Sequence, residues 1–352
     1  MADYTVEKIY TSDKRTMKLV DELLNNEGIK RDKNLDYTCG VFNARDELVA
    51  TGSCFKNTLR CLAVNHEYQG EGLMNLMISH LVDIEQERDN WHLFVYTKVS
   101  AFKFFKTLGF YEIARVQDQL VFLENRPSGF TDYLAQLDSD DHLKLKKSQK
   151  VASVVMNANP FSLGHQYLIE KAAAENDIVH LFMVSDDSSL IPFEDRKRLI
   201  LAGTRHLNNV IYHESGSYII SSATFPSYFL KDSETVIKTQ AQLDIDIFVE
   251  IANYLGITHR YVGSEPFSQV TSIYNDIMVR ELQERGVTCM VVPRLKVDGA
   301  AVSASQIRLA LKEDRLDDVQ RWVPQTTLDF FKSAEGQRVI ARLHRSTNVV
   351  HY

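Results

Sequence analysis

The residues Ser162-Leu163-Gly164-His165 stand between the apolar run VASVVM and the periodic stretch HQYLIEKAAAEN. The first reads as a buried strand and the second as a helix, so NANPFSLGH joins a strand end to a helix mouth. Such a mouth offers unpaired N–H groups and partial positive charge, which favour a phosphate by about 0.3–2 kcal/mol from the dipole. Gly164 permits close backbone approach, and His165 can donate to a phosphate oxygen. A second stretch, VSASQIRLAL at 302–311, follows the strand-like TCMVVPRL. Ser303 and Ser305 sit where a helix begins and Arg308 one turn in, a set suited to a polyphosphate whose charge redistributes as pyrophosphate leaves. Each stretch alone also reads as an ordinary Ser-capped helix, with His165 or Arg308 decorating its surface.

Both stretches lie in a region of alternating strands and helices: VASVVM, DIVHLFMVS, NNVIYH, HRYVG and TCMVVPRL, separated by amphipathic segments such as PFEDRKRLILAGTRHL and SIYNDIMVRELQERG. That order predicts a parallel sheet covered by helices, with its ligand beyond the carboxyl ends of the strands where strand order reverses. Asn157, Ala158, Asn159 and Phe161 would line the first loop. Gly263 follows HRYV and is a candidate for the adenine or ribose end; Glu265 beside it is a candidate at the ATP site that could instead cap the following segment. Arg196 and Lys231 are supporting candidates for which a solvated surface role is equally reasonable. In SSATFPSYFLKD, Phe225, Tyr228 and Phe229 are expected in the core.

Upstream, YTCGVFNARDELVATGSCF reads as a hairpin, LRCLAV as a strand and GLMNLMISHLVDIEQER as a helix. The Pro-, Gly- and charge-rich stretch after LVFLE suggests a seam, giving one domain over 1–125, a linker over 126–149 and a second domain over 150–352. The 352 residues carry a net charge of −7, which argues against nucleic-acid or anionic-lipid partners. Cys39, Cys54, Cys61 and Cys289 show no metal-ligand spacing and read as reduced, mostly buried thiols. The first fifteen residues lack a signal-peptide core and no run is long enough for a membrane span, so a cytoplasmic location is expected.

Together, Ser162–His165 and Val302–Arg308 resemble the paired motifs of the nucleotidyltransferase superfamily, with Ser162 where His or Thr is usual. The resemblance implies a Rossmann-like fold and attack on the α-phosphate of ATP. It places Ser162 and His165 at the phosphates, His165 at the transition state, and Ser303, Ser305 and Arg308 at the β- and γ-phosphates. MNANPFSLGHQYLIEKA, IPFEDRKRLILAGTRHLNNVIYHESGSYIISSATFPSYFLKD and YVGSEPFSQVTSIYND resemble the [citrate (pro-3S)-lyase] ligase family over nearly the whole chain. That implies an acid:thiol ligase using ATP, with Mg²⁺ on the phosphates and no protein-built metal site. Its other partners would be acetate and the citrate lyase acyl carrier subunit with its coenzyme-A-like arm. An adenylyltransferase of the pantetheine-phosphate or nicotinamide-mononucleotide type and a non-catalytic carrier-binding module are the alternatives.

NHEYQGEGLMNLMISHL, 65–81, resembles the pyrophosphate loop of GNAT acetyltransferases, implying a GNAT-like α+β domain at the N-terminus. Gln69, Gly70 and Gly72 would hold the carrier arm, but Met74 fills a position that is small in the family. Phe105 replaces the Tyr that protonates a departing thiolate. Two readings stay open, a dock for the carrier arm and a purely structural domain.

Overall fold

The computed structural model describes residues 4–139 except 33, 149–264 except 186–188, 220–224, 226–229 and 231–232, and 269–346. The chain divides into two compact units, Met1–Thr131 with Pro226–Thr239, and Asp132–Phe225 with Gln240–Tyr352. The break at 131/132 falls inside the Pro- and Gly-rich stretch, whereas the return of 226–239 to the first unit had no signal in composition.

The first unit holds strands β1 (Thr5–Lys8), β2 (Tyr37–Phe42), β3 (Leu48–Phe55), β4 (Thr58–Val64), β5 (Phe94–Thr97), β6 (Tyr111–Val116) and β7 (Leu120–Glu124), with helices α1 (Lys14–Asn26), α2 (Leu73–Glu87) and α3 (Phe102–Thr107). They form one sheet in the order β1-β2-β3-β4-β5-β7-β6. Every pairing is antiparallel except β4 with β5, whose parallel register covers only Thr58↔Phe94 and Leu59↔Val95. Beyond those two pairs β4 and β5 stop pairing. Leu73, Met77, Ile78 and Leu81 of α2 recur at helical spacing and join the core formed with Cys39, Val41, Val95 and Val121 of the sheet.

Helix α4 (Gly129–Ser139) leads to the second unit. There lie β8 (Val151–Met156), α5 (Leu163–Glu175), β9 (Ile178–Met183), α6 (Phe193–Thr204), β10 (Val210–Glu214), the part of α7 (Ser233–Leu255) from Gln240 onward, β11 (His259–Gly263), α8 (Gln269–Glu284) and β12 (Thr288–Val292). A short hairpin, β13 (Lys296–Val297) and β14 (Ala300–Ala301), precedes α9 (Ala304–Lys312), α10 (Leu316–Val319), α11 (Gln325–Lys332) and α12 (Ala334–Arg345). The sheet is wholly parallel, ordered β10-β9-β8-β11-β12. From β8 the chain builds outward to β9 and β10, then returns to place β11 on the other side, so order reverses between β8 and β11. The loops leaving these two strands diverge at their carboxyl ends, which is where an open sheet of this kind forms a crevice.

Candidate active site

The loop between β8 and α5 is pinned from beneath. Arg196 of α6 is fully buried and gives its guanidinium N–H groups to the carbonyls of Asn157, Val184 and Ile191 at 2.8, 2.8 and 3.0 Å. Gly203 lies against Phe161, where a β-carbon would approach the ring to 2.4 Å. Phe161 is itself fully buried in the core. Its ring stacks under that of His165, 6.1 Å between centroids and 19° from parallel. Arg196 and Phe161 therefore shape the loop, and the expectations that Arg196 meets solvent or ATP and that Phe161 meets ATP are corrected. A guanidinium with three carbonyl partners and a ring closed in by Gly203 have no face left for a nucleotide. Ala158, with φ 49°, and Asn159 are buried too, and Asn157 bonds Ser189 at 2.9 Å.

Ser162 is the N-cap of α5 and only 2% exposed. Its Oγ accepts from the backbone N–H of His165 at 3.3 Å, and its own N–H donates to His165 Nδ1 at 3.2 Å. Ser162 Oγ also lies 2.8 Å from Nδ1. An Nδ1 that accepts the backbone N–H carries no proton, so the Oγ hydrogen is donated to it and the imidazole hydrogen sits on Nε2. Burial, reinforced by the positive charges of Arg294 and Arg308, pushes the His165 pKa down from 6.5 to about 4. At neutral pH His165 is thus an uncharged ring whose Nε2–H meets no acceptor among the described residues.

The first three N–H groups of α5 are not equally available. That of Leu163 goes to the Trp322 carbonyl at 2.8 Å and that of His165 to the cap. The N–H of Gly164, between them, meets no acceptor among the described residues. A β-carbon at Gly164 would find Val302 O and Ser162 Oγ at 3.5 Å, ordinary contact distances, so packing within the protein does not demand glycine here.

That contact with Val302 is the meeting of the two stretches. Ser303 caps α9 by accepting from Gln306 N at 3.1 Å. Arg308, 4% exposed, donates to the Asn159 carbonyl at 2.6 Å and to Ser305 Oγ at 3.2 Å. Arg294, just beyond β12, donates from Nε to Ser264 O at 2.8 Å and from Nη1 to Val302 O at 3.4 Å. Gly263 ends β11 with open space where a side chain would project, and its carbonyl accepts from Asn275 at 3.2 Å. The second unit thus gathers Gly164, His165, Ser303, Ser305, Arg308 and Arg294 around the carboxyl edge of the sheet.

In the first unit, the gap where β4 and β5 part is a cavity of about 590 Å³ lined by Gln69, Gly70, Gly72, Met74 and Phe105, among others. Gly72 begins α2 with φ 81° and provides no side-chain cap. Glu71 on the same loop accepts a hydrogen bond from the Tyr4 hydroxyl. Lys98 is the one cationic side chain among the lining residues, and Glu27 lines the cavity as well.

The citrate lyase ligase C-terminal domain family matches residues 151–331. The chain is 36% identical to the [citrate [pro-3S]-lyase] ligase of Escherichia coli, covering 86% of this chain and 88% of that one. The chain belongs to the citrate lyase ligase family. The ligase of the same name from Haemophilus influenzae is 34% identical, over 93% and 98% of the two chains. A solved GNAT-family acetyltransferase from Staphylococcus aureus aligns with 35% of this chain and 100% of its own, at 14% identity and a TM-score of 0.30. The ribosomal-protein-S18-alanine N-acetyltransferase from Escherichia coli does so over 35% and 92%, at 16% identity and a TM-score of 0.28.

In this citrate lyase ligase family member the sequence motifs converge, but Arg294 was missed. Its signal was present in PRL, directly after an apolar strand and therefore at the ligand edge of the sheet. Ser162 does not offer its hydroxyl outward; its bonds fix the tautomer of His165. Glu265, Lys231, Tyr228 and Phe229 lie outside the described residues, and Phe225 is buried. Cys39, Cys54 and Cys61 are free and buried, and burial pushes the Cys39 and Cys61 thiols up to about 12, so neither is a ready nucleophile. Among the described residues no three His, Cys, Asp or Glu side chains could hold a metal ion, and no helix is long and apolar enough to cross a membrane.

Proposed function

We propose that the chain is an ATP-dependent, AMP-forming ligase that activates acetate and acetylates the thiol on the arm of the citrate lyase acyl carrier subunit. The observation that carries this reading is the neutral Nε2–H donor of His165 beside the Gly164 N–H and two guanidinium-bearing side chains, Arg294 and Arg308. An acetate oxygen attacks the α-phosphorus in line, and the bond to the bridging oxygen breaks. Pyrophosphate leaves with the electron pair. Gly164 N–H and His165 Nε2–H donate to the oxygens of the α-phosphoryl group as negative charge builds there, in the manner of an oxyanion hole. Ser303, Ser305, Arg308 and Arg294 hold the β- and γ-phosphates, and Gly263 admits the nucleoside.

The carrier thiolate then attacks the carbonyl carbon of acetyl-adenylate, and AMP departs with the carbon–oxygen electron pair. Adenylation is needed because hydroxide leaves acetate far too slowly. The residues gathered here are cationic or neutral and do not form a metal cage, so Mg²⁺ is assigned to the triphosphate, where it would offset phosphate charge. In the first unit, Gln69, Gly70 and Gly72 are assigned to the carrier arm, where the open edges of β4 and β5 offer unpaired backbone groups to its amides.

Acetate-dependent exchange of labelled pyrophosphate into ATP tests the reading. Exchange that requires acetate, with free AMP formed when carrier is added, is the expected result. No exchange, or AMP retained in dephospho-coenzyme A or a dinucleotide, would reject it.

A further inference from the structure

Helix α12 carries Val339, Ile340 and Leu343 into the core and turns Arg338, Arg342 and Arg345 to solvent. At 3.6 residues per turn these three arginines fall within about 60° of arc, one stripe along the helix. Some exposed helical cations are neutralised within their own helix: Lys18 with Glu22, Lys171 with Glu175, Lys238 with Glu234. The stripe is not neutralised in that way. Arg342 and Arg345 pair with no carboxylate among the described residues, and Glu335, which the charge of Arg338 reaches, is bound at 2.7 Å by Arg198.

Like charges at i, i+4 cost a helix about 0.2–0.5 kcal/mol per pair. The helix dipole offsets this for Arg342 and Arg345 in the last turn, but not for Arg338 farther back. A concentrated cationic stripe on a chain of net charge −7 is a local exception to a field that repels acidic partners. It is also tied to the site: Lys312, at the end of the helix that carries Ser303, Ser305 and Arg308, donates to the Ser346 carbonyl at 2.6 Å just past α12.

We propose that the arginine stripe of α12 is the docking surface for an acidic face of the carrier subunit, an inference that rests on the carrier-acetylating function above. A membrane surface fits less well, since the apolar side of α12 is spent on the core and leaves nothing to insert. The stripe steers the carrier to the unit that makes acetyl-adenylate and contributes chiefly to the rate of encounter.

The test is the triple charge reversal Arg338→Glu, Arg342→Glu, Arg345→Glu in the full chain, with the triple Arg→Lys variant beside it. Acetate-dependent pyrophosphate exchange, which needs no carrier, reports an intact site and fold. The expected result is unchanged exchange, unchanged transfer to free pantetheine, and a KM for the carrier subunit raised about tenfold or more with kcat little altered. The Lys variant should stay near the parent, and added salt should raise the parent's carrier KM but not that of the reversal. An unaltered carrier KM in a variant that still exchanges pyrophosphate would overturn the docking surface. So would loss of binding to phosphatidylserine vesicles with carrier KM unchanged, which would assign the stripe to lipid. If the reversal does not fold, the neutral triple Arg→Gln takes its place under the same criteria. If the parent itself fails to exchange pyrophosphate, the ligase reading fails first, and titration of labelled carrier against parent and variant still decides the docking surface.

Discussion

Two helices in this molecule start from a glycine-containing loop at the open end of a sheet, and their surroundings differ. At α2, Gly72 leaves the helix without a side-chain cap and the loop carries Glu71. At α5, Ser162 caps the helix, and Arg294 and Arg308 add positive charge around His165. The backbone device is similar, but the charge around it runs in opposite directions. A Gly-rich turn before a helix therefore says little about anion chemistry until the side chains arriving from distant sequence are known. At α5 these come from residues 294 and 308, more than 120 positions downstream.

The largest test of this contrast is His165→Ala. Losing one transition-state donor should lower acetate-dependent exchange by about two to three orders of magnitude, with the circular dichroism spectrum retained. Near-normal exchange would remove His165 from the mechanism and make the two helix mouths equivalent.

Acid should come next. His165, His180 and His213 are held below the ordinary 6.5, at about 4, about 4 and about 3, chiefly by burial. The unfolded chain takes up protons below about 6.5 that the folded chain refuses, so stability is full above that pH and falls as pH drops toward 4. Thermal midpoints across this window should decline, and Arg294→Gln should move the His165 imidazole resonance titration upward. A titration unchanged in that variant would show that Arg294 does not govern the site.

Ser162→Ala removes the cap and one of the two donors to Nδ1. About 1 kcal/mol of stability should be lost in urea denaturation. Exchange should fall about fivefold, the rate equivalent of about 1 kcal/mol of hydrogen bond. A fall as deep as that of His165→Ala would mean that the hydroxyl itself meets phosphate.

The smallest effect belongs to the other helix mouth. Glu71→Gln removes a negative charge from the loop before α2 and should tighten coenzyme A binding about two- to fivefold by calorimetry. Unchanged affinity would show that charge is not what distinguishes the two loops.

Much of this was legible in sequence because it is local. Apolar runs such as VASVVM mark buried parallel strands, and their order with the helices fixes which end of the sheet carries the site. Two features resisted reading because they depend on contacts across the fold. Arg196 looked like a surface cation in FEDRKR, yet three carbonyls compensate its burial. Phe161 sits in the motif yet serves the core.

The allocation of amides at the start of α5 has a further consequence. Leu163 spends its N–H on Trp322 and His165 on its own cap, so folding and ligand recognition compete for the same few donors. What reaches the ligand is the remainder, one peptide hydrogen at the residue that has no side chain. A substitution chosen to make this helix more durable by satisfying the Gly164 amide would produce a sturdier protein and a poorer catalyst.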